Sequence, residues 1–556
     1  MSPERRLSPA ERFFLPLGML LLVLAQYRNT LTLDRPFLLD DHTAILTQPD
    51  VTGPGGWRNL WWHAADPTQP GIVAEYQPLT VLSYHLNARM AGGPPKADLF
   101  RLVNIVLLGL VGIGTARWLR WRVPPALAWS AGFLLVAHPT NVEIINCVSG
   151  RAELLAVLGV LIFALRQRGA MHRGGWTIPG GVAALLAALL ALGSGIAGLL
   201  LVPMALAQRW SGLPPRTIPP PRPRTEAAGR PRGPGEPVSV PQSQPPPPLS
   251  TEQWHIVSAV TALLLVAGLL AYVAGRTAAL GWGPHPWPDP ATPGWGDLFP
   301  NPILDVSWPR HIPAALALAG LYLRQLVWPD LSSNLVPAAL PGWGSLATWL
   351  GALVLGSGLA ALTWAIRRRS WVLVPLALAL GHYLLVCQLL LPLPQYASNR
   401  FMLPFNLAAV LALTALVNRF LGTSMRARAA VVIATFAVTL VLSARVVIAN
   451  GSWDGDGQRI AADAEAQLDN PTAMYRSAAR LSAMHGNAEK IRDQLNDILA
   501  CRPGSVQARI ALAELELRTG NRERAAALYR AILADHPSDV RAAAGLTGLA
   551  GTAAGH

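Results

Sequence analysis

Residues Leu346–Ile366 read LATWLGALVLGSGLAALTWAI without one charged side chain, and Arg367-Arg368-Arg369 follow at once. An uncharged apolar run of this length matches the roughly 20 residues a helix needs to cross a bilayer. The arginines read as its cytoplasmic end. The pattern recurs in Phe13–Tyr27, Ile256–Val273, Trp371–Leu391 and Ala429–Val447. A soluble core does not need such runs. The chain therefore reads as an all-α integral membrane protein with about eleven transmembrane helices.

Composition agrees. Of 556 residues 52% are hydrophobic and 14% charged, against about 25% charged in soluble domains. The net charge of +14 is almost entirely arginine, Lys96 and Lys490 being the only lysines. Clusters stand at Arg5/Arg6/Arg12, Arg117/Arg120/Arg122, Arg166/Arg168/Arg173, Arg209–Arg232, Arg367–Arg369 and Arg419/Arg426/Arg428. They fall on alternate sides of the apolar stretches, as the positive-inside rule requires. Spread over short loops they form no continuous groove, which excludes a nucleic-acid partner. Cys147, Cys387 and Cys501 lie too far apart to imply a disulfide framework or a metal cluster. No small-x-small cleavage site follows the first apolar stretch, so it is read as a retained helix.

With a cytoplasmic N-terminus, helix 1 (about 13–28) carries residues 29–99 to the outer side. Helices follow at about 100–117, 125–147 and 152–165. Residues 178–207 are interrupted by Gly193-Ser194-Gly195, so two short helices are expected. Residues 1–208 form the N-terminal membrane part. Residues 209–252, rich in proline and arginine, read as a disordered cytoplasmic linker, since they lack apolar surface to offset their ordering entropy. A C-terminal membrane part spans 253–449, with helices at about 253–274, 345–366, 371–391, 402–420 and 429–449. Its external loop, 276–343, holds Trp282, Trp287, Trp295, Trp308 and Trp328, a residue type that favours the membrane interface. His311–Val327 is expected to lie along the outer surface.

From 450 to 556 the chain becomes charged and alanine-rich, with a period of 34 residues: Gly486-Asn487 recurs as Gly520-Asn521 and Pro503 as Pro537. That is tetratricopeptide spacing. An odd number of crossings places these repeats outside, periplasmic in a bacterium.

The residues able to carry chemistry gather on the same side. Asp40-Asp41-His42 stands about ten residues beyond helix 1. Two adjacent carboxylates there admit three readings: a helix N-cap, a metal site, and a general base. Consecutive side chains rarely converge on one ion, so no metal site is assigned. Glu75-Tyr76-Gln77-Pro78-Leu79, His138-Pro139-Thr140-Asn141-Val142-Glu143 and Gly150-Arg151-Ala152-Glu153 add ionisable groups near membrane depth, where such groups are functional candidates by default. A Glu143–Arg151 pair and a capping role for Glu153 are the plain alternatives.

These blocks resemble the transmembrane and tetratricopeptide repeat-containing O-mannosyltransferases, relatives of the protein O-mannosyltransferases among the C-type membrane glycosyltransferases. The resemblance rests on Asp40-Asp41, Tyr76-x-Pro78-Leu79, Asn104, His138-Pro139-x-x-x-Glu143 and Gly150-Arg151-Ala152-Glu153. It continues through Asn301-Pro302, Arg310 to Pro329-x-Leu331-Ser332, and Asn399-Arg400-Phe401-Met402-Leu403-Pro404. It implies an enzyme of the C-type architecture that transfers a sugar, such as mannose, from a polyprenyl-phosphate carrier to an acceptor hydroxyl at the outer face, with inversion. A departing phosphate needs no proton, so one carboxylate, Asp40 or Asp41, would take the hydroxyl proton. Arg151, Arg400 and Arg310 would hold phosphate charge through their planar forks, with Glu75, His138 and Glu143 supporting them.

No cofactor is implied beyond the lipid-linked sugar donor. The repeats would contact a protein acceptor, and a bacterial inner membrane is the implied setting. Gln77, where relatives carry arginine, and Gly193-Ser194, where many carry Lys-Glu, each remove a cation. A non-catalytic scaffold or a lipid-linked sugar transporter are the rival classes.

Overall fold

The computed structural model describes residues 8–32, 37–38, 41–46, 48–53, 56–60, 76–92, 94–212, 250–280, 301, 303, 308–329, 340–390, 393, 395–421, 425–453, 488–501, 506–535, 537 and 539–553. Among them every regular element is helical. The first part holds α1 (Leu15–Gln26), α2 (Arg28–Thr32), α3 (Pro49–Thr52), α4 (Pro78–Met90), α5 (Ala97–Leu119), α6 (Pro125–Val136), α7 (Asn141–Asn146), α8 (Arg151–Arg173), α9 (Ile178–Leu192) and α10 (Leu201–Ser211). The second holds α11 (Thr251–Leu280), α12 (Trp308–Val327), α13 (Leu346–Arg367), α14 (Leu373–Val386), α15 (Met402–Leu421) and α16 (Met425–Asn450).

Among the described residues six helices are long and apolar enough to cross a membrane, those over Ala97–Leu119, Val148–Arg173, Thr251–Ala279, Leu346–Arg367, Asn399–Phe420 and Arg426–Asn450. Four shorter apolar helices join them, against an expectation of about eleven spans. The chain is thus a multi-pass membrane protein. One hydrophobic core draws on α1, α5, α6, α8, α9, α10, α14, α15 and α16. The outer faces of α11, α13 and α16 instead expose large apolar residues such as Leu270, Leu353 and Phe436. Lipid is the solvent that such faces fit.

Where the observed helices differ from the expected ones, local chemistry explains it. The helix expected over 125–147 breaks between Val136 and Asn141, because Pro139 lacks an N–H and disfavours helical backbone at His138. Asn141 Nδ2 donates to the Leu135 carbonyl at 2.8 Å, satisfying an acceptor at the helix end. The expected turn at Gly193-Ser194-Gly195 is present between α9 and α10. It packs so closely that a Cβ on Gly198 would meet the Ala191 carbonyl oxygen at 2.1 Å. The start of α4 docks there, Leu79 N donating to Gly193 O at 3.0 Å and Thr80 Oγ1 to Ser194 O at 2.9 Å.

The expected surface helix is longer, Trp308–Val327, and buries Ala314, Ala315, Leu318 and Tyr322. Its partners are α13 and α15, with Tyr322 stacked on Phe405 at 4.9 Å. Most of the expected linker lies outside the described residues, but α10 continues to Ser211 and α11 begins at Thr251, so helix reaches into both its ends.

The last helices are α17 (Ala488–Cys501), α18 (Val506–Arg518), α19 (Arg522–Asp535) and α20 (Val540–Ala553), each packed on the next. Gly520, at φ +88°, makes the turn between α18 and α19, a left-handed conformation glycine adopts without steric cost. Glu516 is fully buried and accepts from Arg492 Nε at 2.9 Å and Asn521 Nδ2 at 2.7 Å. Gly486-Asn487 and Pro503 lie outside the described residues.

Candidate functional site

A buried triad aligns the ends of α2, α7 and α16. Asn146 Nδ2 donates to Asn450 Oδ1 at 2.6 Å, and Asn450 Nδ2 to Thr30 Oγ1 at 2.8 Å. The end of α2, the α6–α8 connections and the described residues 451–453 therefore share one end of the bundle. Every described candidate except Arg310 belongs to segments that meet there.

Asp41 is fully buried. Its Oδ2 accepts from Val148 N at 2.9 Å and its Oδ1 from Ser149 N at 2.8 Å. It thereby holds the turn that feeds α8 across 107 residues of chain, a different arrangement from the N-cap of a helix that it would begin itself. Burial raises its carboxyl from 3.8 to about 6, while the backbone N–H groups and nearby Arg101 pull the other way.

Arg151 begins α8 and is also fully buried. Nε donates to Asn104 Oδ1 at 2.8 Å, one terminal nitrogen to Asn87 Oδ1 at 2.5 Å and the other to Phe100 O at 2.7 Å. Its guanidinium lies 4.9 Å from the Tyr84 ring centre. Asn104 in turn donates to Ile144 O at 3.0 Å. Arg151 thus ties α4, α5 and α8 together from inside.

Glu143 pairs with Arg400, not Arg151. Arg400 Nε lies 3.1 Å from Glu143 Oε1, Ser398 Oγ donates to the same oxygen at 2.6 Å, and Asn399 N donates to Oε2 at 3.1 Å. Glu143 is 3% exposed, whereas the Arg400 side chain keeps 16% of its surface open. His138 bonds Thr140 Oγ1 at 2.8 Å through Nδ1 and the Leu326 carbonyl at 3.2 Å through Nε2. Asn406 Nδ2 reaches Thr140 Oγ1 at 2.9 Å, joining α15 to this corner.

Arg310 stands exposed in the first turn of α12. Asp40 and Glu75 lie outside the described residues. Among the described residues no three His, Cys, Asp or Glu side chains are grouped to hold a metal ion.

Sequence reasoning missed several members. Arg101, fully buried, donates to Asn146 O at 3.1 Å and faces Asp41 electrostatically. A charge near the start of an apolar helix was its available signal. Asn301, matched only as part of a motif, donates to Gln388 Oε1 and to Leu393 O, bracing the segment that leads to Arg400. Asn87 and Gln388 carried no signal beyond being polar.

Comparison with known proteins identifies the kinship. Protein O-mannosyl-transferase Tmtc2 of Drosophila melanogaster is 37% identical over 139 residues, 24% of this chain. Over that stretch the chain is similar to the TMTC protein O-mannosyl-transferases. Tmtc1 of the same fly is 33% identical over 181 residues, 31% of this chain, and mouse TMTC4 is 29% identical over 146 residues, 23% of it. The match covers 14% of fly Tmtc2 and 20% of each of the other two relatives. No family model and no solved structure matches the chain.

Proposed function

We propose that this chain is a membrane glycosyltransferase that moves a sugar, mannose by the names of its relatives, from a polyprenyl-phosphate carrier to a protein hydroxyl. The observation that carries the reading is the meeting of Asp41, Arg101, Arg151, Glu143 and Arg400 at one end of the bundle, the paired Glu143 and Arg400 alone standing 257 residues apart in the chain. A scaffold anchored by its helices has no need of such a gathering.

In this reaction the acceptor oxygen forms a bond to the sugar's anomeric carbon as the carbon–oxygen bond to phosphate breaks. The hydroxyl proton passes to a carboxylate, and polyprenyl phosphate leaves. Displacement from the opposite face inverts the anomeric centre. The base must reach the hydroxyl, a matter of geometry before pKa. Both Asp41 oxygens are committed to backbone N–H groups inside the protein, so the base is assigned to its neighbour Asp40, with Asp41 fixing that strand of chain.

Arg400 is assigned to the donor phosphate, held in place by Glu143; Arg310, which stands apart from this gathering, is given no contact with it. Arg151 braces the site from within. Glu75 and His138 remain supporting residues. The arginines supply the cationic charge, so the reaction is proposed to need no metal. The site end is taken as the periplasmic face of a bacterial inner membrane, with the N-terminus cytoplasmic and the repeats presenting a protein acceptor.

The test is transfer by the purified full-length protein from polyprenyl-phosphate mannose to a protein acceptor. Wild type should transfer, and Asp40→Asn should lose on the order of 10²–10⁴-fold. No transfer from any polyprenyl-phosphate hexose would leave the scaffold reading in its place.

A further inference from the structure

At the opposite end of the bundle a cavity of about 460 Å³ is lined by Trp364, Arg368, Ser370 and Arg419. Arg400 precedes α15 and Arg419 lies in its last turn, so at 1.5 Å per residue this cavity is roughly 25–30 Å from the Glu143–Arg400 pair. That is about the hydrocarbon thickness of a bilayer. Among the described residues the lining holds two cations, a hydroxyl and an indole but no carboxylate. Neither Arg368 nor Arg419 has an ion-pair partner among the described residues.

The turn that carries Arg368 is closed by backbone hydrogen bonds. Arg369 adopts φ +49°, a conformation that L side chains rarely take. Arg369 N donates to Ile366 O at 3.2 Å, and Ser370 N reaches back to Ala365 O at 3.0 Å, closing the end of α13 in the manner of a Schellman cap. The Arg369 guanidinium lies 5.8 Å from the Trp210 ring centre, and Trp210 Nε1 donates to Ile366 O at 2.9 Å. The two helices that end at this cavity also carry exposed apolar side chains: Leu413, Leu416 and Phe420 on α15, the last 77% exposed, with Leu359 and Ile366 on α13.

We propose that this cavity binds the phosphate headgroup of an anionic phospholipid, Arg368 and Arg419 clasping the phosphate, Ser370 lying beside it, and the acyl chains following the apolar side chains of α13 and α15. Basic pockets between membrane helices at the cytoplasmic side recognise such headgroups. Arginine's planar fork suits phosphate oxygens, and an exposed tryptophan such as Trp364 suits the headgroup level. A phosphate without acyl chains shares the headgroup chemistry but not the apolar track.

The experiment uses the full-length protein delipidated in detergent, with phosphatidylglycerol, phosphatidylcholine or inorganic phosphate added separately. Lipid retention is followed by native mass spectrometry and stability by thermal unfolding. Phosphatidylglycerol should be retained and should raise Tm, phosphatidylcholine should do neither, and each of Arg368→Gln and Arg419→Gln should weaken retention roughly five-fold. Arg367→Ala, an exposed neighbour outside the lining, should leave it unchanged. Protection by inorganic phosphate equal to that by the lipid would reassign the site to a free anion and overturn the lipid proposal. Equal binding of both lipids, or equal loss in Arg367→Ala, would reduce it to diffuse surface charge and overturn it as well. If a glutamine variant does not fold, Arg368→Lys and Arg419→Lys keep the charge and should weaken retention less; unchanged retention in both would remove the clasp.

Discussion

Arg400 Nε sits 3.1 Å from Glu143 Oε1, across 257 residues of chain, and the same carboxylate also accepts from Ser398 Oγ and Asn399 N. One buried acid therefore sets the backbone and side chain of the whole Ser398–Arg400 turn. Removing one partner of a buried pair leaves the other uncompensated, which costs about 3–5 kcal/mol. Glu143→Ala should lower thermal stability by that order and abolish transfer, whereas Arg400→Lys should keep most stability and lose donor affinity. Equal stability of Glu143→Ala and wild type in a detergent melt would show that the pair does not hold the turn.

Asp41 gives a pH signature. Its carboxyl is raised to about 6 in the fold against an ordinary 3.8, so between those values the folded state holds the extra proton. Its contribution to stability is fully present below about 4 and is lost as pH rises through about 6. Wild-type Tm minus Asp41→Asn Tm should therefore shrink from pH 4 to pH 7. A difference that stays flat, or grows with pH, would contradict the burial that sets the shift.

For Arg151 the structure predicts a folding defect before a donor defect. Its donors are spent on Asn104, Asn87, Ser83 and Phe100 inside the protein. Arg151→Ala should leave those acceptors unpaired at about 1–3 kcal/mol each and destabilise the α4–α5–α8 corner. Lysine, with no fork, should restore little. A variant that melts like wild type yet binds donor poorly would return Arg151 to the phosphate.

The crossing of α12 and α13 rests on Gly351, where a Cβ would fall 1.7 Å from the Leu316 carbonyl oxygen. Small residues permit such approaches between membrane helices. Gly351→Ala should force the helices apart and cost about 1–3 kcal/mol. Gly356→Ala, with nothing within 4 Å on the same helix, should be neutral or slightly stabilising. The ratio of the two Tm shifts is the measurement.

The membrane class was legible because apolar runs such as Leu346–Ile366 have no other use, and their ends are punctuated by arginine. The broken helix at Gly193 was legible for the same local reason, since glycine and serine interrupt helical packing in sequence. The candidate site was legible as a set of blocks: His138, Glu143 and Arg151 are ionisable residues at membrane depth, which marks them, whereas Arg400 was marked only by the family resemblance. Arg101 carried the same mark and was passed over, and Asn87 carried none, because a polar residue in an apolar helix shows no partner until the helices are packed.

What the sequence determined by itself was thus the helical, membrane-spanning kind of its apolar segments, the break at Gly193, and which residues were too costly to bury without a reason. Tertiary structure alone decided who pairs with whom. Sequence left Glu143 free to join Arg151, eight residues on, yet the packed fold gives it Arg400 and spends Arg151 on asparagines and carbonyls. It also turned Asp41 inward to hold the turn before α8. The reason is physical: the free energy of a buried charge depends on the donors and acceptors that close around it, and those come from helices far apart in the chain.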